Sequence, residues 1–385
     1  MTQLRIPAVY MRGGTSKGVF FRTDDLPADP AARERLLLRV IGSPDPYGKH
    51  IDGMGGATSS TSKVVLLAKS SRPDCDVDYL YGGLTVDRPN IDWSGNCGNL
   101  TAAVGPFAIA SGLVAAPPDG WASVRIWQAN IGKKIVAHVP MRNGDVQEEG
   151  DFMLDGVAFP AAEIRLEFLD PGADESEGEG GAMFPTGHVS DWLEVPGVGR
   201  IEVTLINAGL PTIFVEAGSL GFSGIELQPD INPFPEILAR VETIRCHGAV
   251  AMGLAATTDE AAKRAHTPKL SFVASPAAYA ASDGRRVKAA DIDLLARVFS
   301  MGPLHHAMTG TGAVAIASAV AVPGTIPYRV ARKRSDGWVC VGHPSGTLSV
   351  GAEAREENGQ WIVSKVMMSR SARRLMQGWV FVPES

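Results

Sequence analysis

Residues 94–99 read Ser94-Gly95-Asn96-Cys97-Gly98-Asn99, and a run of small residues at 100–110 follows them. A second stretch of the same style occurs much later, where Met308-Thr309-Gly310-Thr311-Gly312 precedes the small residues 313–322. Each is a glycine-rich turn that opens an alanine-rich helix, where free N–H groups attract anions and glycine lets a ligand approach the backbone. The alternative for either turn alone is that its glycines only permit close helix packing. The occurrence of two such turns favours two related halves that share an anionic ligand.

The composition limits the class of protein. A chain of 385 residues, 45% hydrophobic and 20% charged, is too long for one ordinary core, so two domains are expected. The 36 basic and 42 acidic residues give a net charge of -6 without a dense Lys/Arg run, which argues against nucleic acid or an anionic membrane as partner. The apolar stretches are shorter than a bilayer span. The N-terminus does not resemble a secretory signal, so a cytoplasmic location is expected.

Short runs rich in β-branched and aromatic residues, separated by turn residues, predict strands along both halves. Helices are predicted at 31–41, 100–110, 234–249, 289–301 and 313–322. The first of these has an N-cap at Asp29, a proline at position 30 and a terminal Gly42. Together the elements predict an α+β fold with mainly antiparallel sheets. The acid-rich stretch 171–181 is predicted to be an exposed loop.

Two side chains stand out as candidates for chemistry. Cys97 lies between glycines at a helix N-terminus, where the helix dipole and backbone N–H groups favour the thiolate. Lys63 follows a run of Ser and Thr and precedes an apolar strand, so it can offer a cation to a carboxylated ligand. Its alternative is a solvated surface charge, and Lys17, after a similar Gly-Gly-Thr-Ser turn, has the same ambiguity.

The remaining motifs exclude several kinds of site. Four scattered cysteines fit free thiols in a reducing compartment, and three of them, Cys75, Cys246 and Cys340, are interpreted as packed hydrophobic residues. No HExxH or CxxC spacing indicates a metal site. No GxSxG, GxGxxG or GxxxxGK[ST] motif indicates a serine hydrolase, a Rossmann fold or a P-loop. The prediction is a pocket without metal or cofactor that contains a thiol, a lysine and small hydrogen-bond donors.

Several motifs resemble those of the PrpF family of 2-methylaconitate cis-trans isomerases. They are Met11-Arg12-Gly13-Gly14-Thr15-Ser16-Lys17-Gly18, Ile51-Asp52-Gly53-Met54-Gly55-Gly56, Thr61-Ser62-Lys63, Asp92-Trp93-Ser94-Gly95-Asn96-Cys97-Gly98-Asn99 and Gly342-His343-Pro344-Ser345-Gly346. The similarity extends from Ile6 to Pro383. The glycine-rich motifs are shared with 4-oxalomesaconate tautomerases, so they do not by themselves decide the substrate.

The resemblance implies a fold similar to that of diaminopimelate epimerase and proline racemase. In that fold two pseudo-symmetric domains each wrap a mainly antiparallel sheet around a central helix, and the active site occupies the cleft between the domains. The implied first domain comprises 1–150 plus 369–385, and the second comprises 151–368. Racemases of this fold place one cysteine at each central helix. Cys97 matches the first place and Thr309 the second, so a two-cysteine mechanism is not available here.

The family's catalytic pair, carried over by motif, is Lys63 and Cys97. One group would remove a proton allylic to a carboxylate and the other would return it, while donors and cations stabilise the dienolate. The residues expected to bind substrate are Thr15, Ser16, Lys17, Ser62, Asn96, Gly98, Asn99, Asn207, Thr309, Gly310, Ser345 and Gly346. The sequence does not decide which of the pair is the acid and which is the base.

The function implied by the resemblance is a cofactor-independent isomerase that interconverts 2-methyl-trans-aconitate and 2-methyl-cis-aconitate in the methylcitrate cycle of propionate catabolism. One alternative is an isomerase of 4-oxalomesaconate or of aconitate. An alternative of another class is a tricarboxylate-binding protein without turnover. The expected partner in every case is a small tricarboxylate, and a homo-oligomer is compatible with the sequence.

Overall fold

The computed structural model describes residues 3–172, 182–335, 337–357 and 359–383. Residues 173–181, which make up most of the predicted exposed loop, lie outside these ranges. The chain divides into two compact units: unit 1 comprises Met1–Leu166 with Ser369–Ser385, and unit 2 comprises Glu167–Met368. Residues 151–166 therefore belong with unit 1, whereas the resemblance assigned them to the second domain.

Unit 1 contains nine of the strands, two helices longer than one turn and the end of a tenth strand. Its elements are β1 Gln3–Gly13, β2 Ser16–Arg22, α1 Pro30–Ile41, β3 Lys63–Lys69, β4 Val77–Leu84, β5 Ile91–Asp92, α2 Thr101–Ala110, β6 Gly120–Gln128, β7 Lys133–Arg142, β8 Asp145–Val146 and most of β9 Glu163–Leu169. A short 3₁₀ turn covers Thr23–Asp25. The strands β2 and β3 pair in parallel, as do β4 and β6. The pairs β1/β2, β3/β4, β4/β5, β6/β7 and β7/β8 are antiparallel.

Unit 2 has a similar set of elements. They are β10 Asp191–Val195, β11 Gly199–Ala208, β12 Leu210–Glu216, α3 Gln228–Ile231, α4 Pro235–Ala251, α5 Thr258–Ala262, β13 Lys269–Ala274, β14 Tyr279–Ala280, β15 Arg286–Val287, β16 Leu294–Phe299, α6 Gly310–Ala321, α7 Ile326–Val330, β17 Trp338–His343, β18 Gly346–Glu357 and the first part of β19 Gln360–Pro383. Two 3₁₀ turns cover Ala217–Leu220 and Ala289–Asp291. The second part of β19 pairs with β1 in unit 1.

The two units repeat one order of strand directions. In unit 1 the order β1, β2, β3, β4, β6, β7 pairs successively as antiparallel, parallel, antiparallel, parallel and antiparallel. In unit 2 the order β11, β12, β13, β16, β17, β18 gives the same succession. A long helix follows the second strand of each series, and a second helix precedes the fifth. The predicted α+β fold with two pseudo-symmetric halves is therefore confirmed.

Each unit has a helix with almost no polar face. The helix α2 is buried at every residue from Thr101 to Ala108 and packs against β1, β6 and β7. The helix α6 is buried from Gly310 to Ala319 and packs against β11, β12 and β18. A helix that is apolar on all sides is stable only when protein surrounds it, so each of these helices is the centre of its unit.

Local signals account for most helix ends. The helix α1 has its N-cap at Asp29, whose carboxylate accepts the Ala32 N–H, and it ends at Gly42 in the left-handed region.

The prediction of a helix at 289–301 is wrong, because residues Leu294–Phe299 form the buried strand β16. A short apolar run surrounded by sheet on both sides has no polar face, so its periodicity does not separate helix from strand. Within the described residues no helix is both long and apolar enough to span a bilayer.

Candidate active site

The side chains of Lys63 and Cys97 meet in unit 1. The Nζ atom of Lys63 donates to the Sγ atom of Cys97 at 3.1 Å. The two residues are only 8% and 7% exposed, so this contact is shielded from bulk water. Cys97 is thus buried, although glycines lie on both sides of it in the sequence. The structure thus brings together the two residues that the resemblance assigned to catalysis.

Glycines make room for the lysine at the start of β3. Lys63 pairs with Gly83 on β4, and on its other side lies β2, where a Cβ added to Gly18 would come within 2.8 Å of the Lys63 carbonyl oxygen. The ammonium group is 5.2 Å from the centre of the Tyr81 ring. Small neighbours and an aromatic face therefore hold the side chain of Lys63 in the interior, toward the turn that carries Cys97.

The thiol of Cys97 is set up to lose its proton. Burial alone would raise the pKa of this thiol. The Lys63 ammonium lowers the pKa, and so do the N–H groups of Leu100 and Asn99, which donate to Sγ. The balance holds the pKa of Cys97 below its ordinary value, as is expected where a cation and N–H groups face a thiolate.

Two buried tyrosines complete the surroundings of the pair. The Tyr79 hydroxyl donates to the Cys97 carbonyl oxygen at 3.4 Å, and the Thr101 hydroxyl donates to the same oxygen at 3.0 Å. Burial, and next the nearby charge of Cys97, raise the pKa of Tyr79 and of Tyr81 well above the ordinary value. Both phenols therefore stay neutral, and Tyr79 acts as a hydrogen-bond donor to the turn.

The β1/β2 hairpin is fixed against the same turn. The Asn99 Nδ2 donates to the Thr15 hydroxyl at 2.9 Å. A Cβ added to Gly13 would lie 2.7 Å from the Asn99 carbonyl oxygen, and one added to Gly14 would lie 2.5 Å from the Asn99 Oδ1. These two glycines are thus required for the close packing of the hairpin against this turn. Ser16, next along the hairpin, is buried.

Ser62 lies beside His50, a histidine that no sequence motif indicates. The Ser62 hydroxyl is 3.2 Å from the His50 Nδ1, which also accepts the Ala57 N–H. Burial is the largest influence on His50 and lowers its pKa. A neutral imidazole with Nδ1 as acceptor can hold the Ser62 hydroxyl as a donor.

The side chain of Lys17 does not contact the Lys63–Cys97 pair. Its ammonium group is 5.4 Å from the centre of the Tyr10 ring. Gly18, the next residue, faces Lys63 and Leu100, and alternate residues of a strand point to opposite faces. The side chain of Lys17 therefore lies on the other face of β2.

Among the predicted residues in unit 2, Thr309 is the N-cap of α6. Its hydroxyl oxygen accepts the Gly312 N–H at 3.1 Å, and its carbonyl accepts the Ala313 N–H at 2.9 Å. Cys97 has the same relation to α2, since its sulfur accepts N–H groups two and three residues later and its carbonyl accepts that of Thr101. Thr309 is thus the counterpart of Cys97 in the repeat. Gly310 is the first residue of α6.

The other predicted residues of unit 2 lie on hairpins that touch the start of α6. Asn207 precedes the β11/β12 turn, where a Cβ added to Gly209 would lie 2.7 Å from the Val314 side chain. The Ser345 hydroxyl donates to the His306 carbonyl oxygen, three residues before Thr309. Gly346 pairs with His343 across the β17/β18 turn. Binding of substrate by these residues stays a prediction.

Comparisons with known proteins identify the family of this chain. The family model described as "PrpF protein" matches residues 3–383. The chain belongs to the PrpF family. It is 63% identical to 2-methyl-aconitate isomerase of Cupriavidus necator over 99% of this chain and 98% of that protein. It is 61% identical to the protein of the same name from Shewanella oneidensis, with the same coverage. The predicted membership of the family is confirmed.

Solved structures place the fold. The crystal structure of methylitaconate-delta-isomerase superposes with a TM-score of 0.80 at 37% identity, covering 99% of this chain and 96% of that chain. A probable proline racemase from Agrobacterium radiobacter superposes with a TM-score of 0.57 at 15% identity, over 99% and 93% of the two chains, which is a likeness of fold. The relatives with known names are isomerases, so the prediction of an isomerase is confirmed.

Proposed function

We propose that this chain interconverts 2-methyl-trans-aconitate and 2-methyl-cis-aconitate without a cofactor, with Lys63 and Cys97 as the catalytic pair. The observation that carries the proposal is the 3.1 Å contact between Nζ and Sγ inside unit 1. The identity of 61–63% to two proteins named 2-methyl-aconitate isomerase supports the choice of substrate.

The environment of the pair suggests which group acts first. Lys63 donates to the sulfur, and the pKa of the Cys97 thiol is lowered, so the contact favours a thiolate at Cys97 more than an isolated cysteine would. A thiolate is a base that can accept an allylic proton, and an ammonium is an acid that can return one. We assign Cys97 as the base and Lys63 as the acid.

The proton balance of this assignment closes within the pair. The thiolate of Cys97 takes a proton from the carbon next to the conjugated system, and the substrate becomes a dienolate, in which the former C=C bond is a single bond and can rotate between the trans and cis arrangements. Lys63 then gives its proton to the dienolate, leaving a neutral amine beside a thiol. The thiol proton crosses the hydrogen bond from Sγ to Nζ and restores the starting state. Because the carbon acid is weak, fixed donors around the dienolate must supply much of the stabilisation.

The substrate panel decides between the proposal and its alternatives. Purified protein is incubated separately with 2-methyl-trans-aconitate, aconitate and 4-oxalomesaconate, and each reaction is followed by ultraviolet absorbance and proton NMR in D₂O. We expect the highest kcat/KM with 2-methylaconitate. A higher value with 4-oxalomesaconate or aconitate would transfer the assignment to that acid. Binding without deuterium exchange or turnover of any acid would indicate a tricarboxylate-binding protein.

Cys97→Ser tests the catalytic assignment. Serine keeps the size of the side chain and one hydrogen bond but has a far higher pKa, so we expect kcat to fall by ~10²–10⁴, the usual contribution of general acid–base catalysis. The Kd for substrate should change by less than ~10-fold, because the lost step is proton transfer. Cys340→Ser, in unit 2, is the matched control and should keep the wild-type kcat. Near wild-type turnover in Cys97→Ser would refute the assignment.

A further inference from the structure

Three arginines are buried in the described part of the chain. Arg245, Arg297 and Arg370 are 4%, 0% and 2% exposed. A guanidinium is charged at all physiological pH values, and burying it costs free energy unless its five N–H groups find acceptors. The partners of each arginine therefore show whether the protein itself compensates that charge.

The protein gives Arg245 and Arg297 several partners, although the Arg297 Nη2 is also buried with none among the described residues. Arg245 binds the Glu242 carboxylate through Nε at 2.7 Å and Nη2 at 2.6 Å. Arg297 donates to three carbonyl oxygens: to Glu226 at 2.6 Å, to its neighbour Ala296 at 3.0 Å and to Gly342 at 3.2 Å. These two guanidinium groups are therefore held mainly by the protein itself.

Arg370 has no comparable compensation. Its Nη1 donates to the adjacent Ser369 carbonyl oxygen at a long 3.4 Å. Its Nε and Nη2 are buried and have no hydrogen-bond partner among the described residues, and none of the described carboxylates forms an ion pair with it. Burial lowers the pKa of Arg370 to about 10, with no contribution from a neighbouring charge. This side chain is a buried cation without a counter-ion in the described structure.

The free atoms of Arg370 form one complete binding edge. Nε and Nη2 present parallel N–H groups on the same side of the guanidinium plane. A carboxylate binds that edge with its two oxygens, which is the strongest common geometry between arginine and an anion. A backbone carbonyl or a hydroxyl would satisfy only one of the two atoms.

The strand register places Arg370 beside the candidate active site. The Gly14 N–H donates to the Ser371 carbonyl at 2.9 Å. Arg370, the neighbour of Ser371 in β19, therefore lies beside the tip of the β1/β2 hairpin. Ala372, two residues after Arg370, pairs with Gly13. A Cβ added to Gly13 would point at the backbone of Asn99 and Leu100. Residues two apart in a strand share a face, so Arg370 lies on the side of β19 that faces the turn before α2.

We propose that Arg370 is a substrate-binding residue that holds one carboxylate of the unsaturated tricarboxylate through Nε and Nη2. The inference rests on the proposed function for the identity of the ligand. It adds a specificity determinant to that function, because an acid that lacks the carboxylate would leave the buried guanidinium unpaired.

Equilibrium binding of tricarballylate, the saturated propane tricarboxylate that cannot isomerise, tests this role without turnover. The titration calorimetry compares wild type with Arg370→Met, Arg370→Lys and the control Arg374→Met, an arginine of the same strand whose side chain is 42% exposed. We expect Kd to rise at least ~10-fold in Arg370→Met, the loss of hydrogen bonds to a charged group. Arg370→Lys should recover part of the affinity, and Arg374→Met should bind like wild type.

Urea unfolding separates recognition from a structural role. Arg370→Met removes a buried charge without a counter-ion, so the free energy of unfolding of the free protein should not fall. The inference is overturned if Arg370→Met binds tricarballylate like wild type, if its loss of affinity accompanies a lower free energy of unfolding, if wild type does not bind tricarballylate, or if neither Arg370 variant folds. Wild-type binding that depends on Arg370, without turnover of any acid in the panel, would instead refute only the proposed function.

Discussion

Lys63 has two effects on the candidate site that one substitution would mix. Its charge lowers the pKa of Cys97, and in the proposed mechanism its proton is the one returned to the dienolate. Both effects act through the same Nζ atom, 3.1 Å from the sulfur. A pair of variants, one neutral and one cationic, separates the two effects.

Lys63→Met should raise the pKa of the Cys97 thiol, because the cation that favours the thiolate is gone. The thiolate absorbance near ~240 nm, taken as the difference from Cys97→Ser, should therefore titrate at higher pH than in wild type. Below its folded pKa the thiol stays protonated and cannot act as base, so the acid limb of the kcat–pH profile should move the same way. We expect kcat to fall by at least ~10².

Lys63→Arg is the matched variant. Arginine restores a cation, so the Cys97 pKa should return toward the wild-type value, but its own pKa is too high for it to release a proton readily. Recovery of the thiolate without recovery of kcat would support Lys63 as the acid. Wild-type kcat in Lys63→Arg would show that only the charge matters, and an unchanged thiolate titration in Lys63→Met would contradict the electrostatic assignment.

At the residue scale the sequence could indicate Cys97 and Lys63 as candidates, but it could not pair them. They are 34 positions apart, and the pairing came from the resemblance to a family. The burial of Cys97 depends on how its turn packs, and the contact of Lys17 with Tyr10 depends on which face of β2 Lys17 occupies. Arg370 had no signal at all, since Arg373 and Arg374 follow it in the sequence and burial alone distinguishes it.

At the scale of elements, the β1/β2 hairpin and the turn before α2 depend on each other. Gly14 has a φ of +52° and touches the Asn99 side chain, which in turn holds Thr15. Any side chain at position 14 must therefore adopt a left-handed backbone conformation and displace Asn99 as well.

Gly14→Ala should lower the free energy of unfolding more than Gly48→Ala does. Gly48 has a similar φ of +64°, but a Cβ there would meet nothing within 4 Å. Alanine in the left-handed region costs ~1–2 kcal/mol, and only Gly14→Ala adds the displacement of Asn99. Urea unfolding of the two variants measures the difference. Equal losses of stability would mean that the hairpin and the turn are not tightly packed.

Helices with capping residues at their ends were predictable from the sequence. Strands whose extent depends on pairing with distant strands were not. The helix α1 agrees with its Asp29 and Gly42 caps. The strand β16, mistaken for a helix, has no caps and is buried on both faces. The strand β19 runs without a break over 24 residues. Its length depends on pairing with β18 in one unit and with β1 in the other, which lie far apart in the sequence.

At the scale of the whole molecule, the order of strand directions recurs in both units, but the thiol does not. The pairing order and the two long helices recur in both units, and Cys97 and Thr309 accept N–H groups in the same way before α2 and α6. The thiol occurs in unit 1, and a threonine hydroxyl occupies its counterpart in unit 2. The glycine-rich turns indicated this repeat in the sequence. The equivalence of strand directions required the structure, because parallel and antiparallel pairing leave no local mark.

The position of both proton carriers in one unit has a stereochemical consequence. Since Lys63 and Cys97 touch, they meet the planar dienolate from one side, and the hydrogen that leaves and the hydrogen that arrives should share a face of the molecule. The reaction should be suprafacial, whereas a thiol on each central helix would allow attack from both faces. Stereospecifically deuterated substrate, with NMR assignment of the label in the product, measures this outcome. Delivery to the opposite face would mean that a third group carries the returning hydrogen.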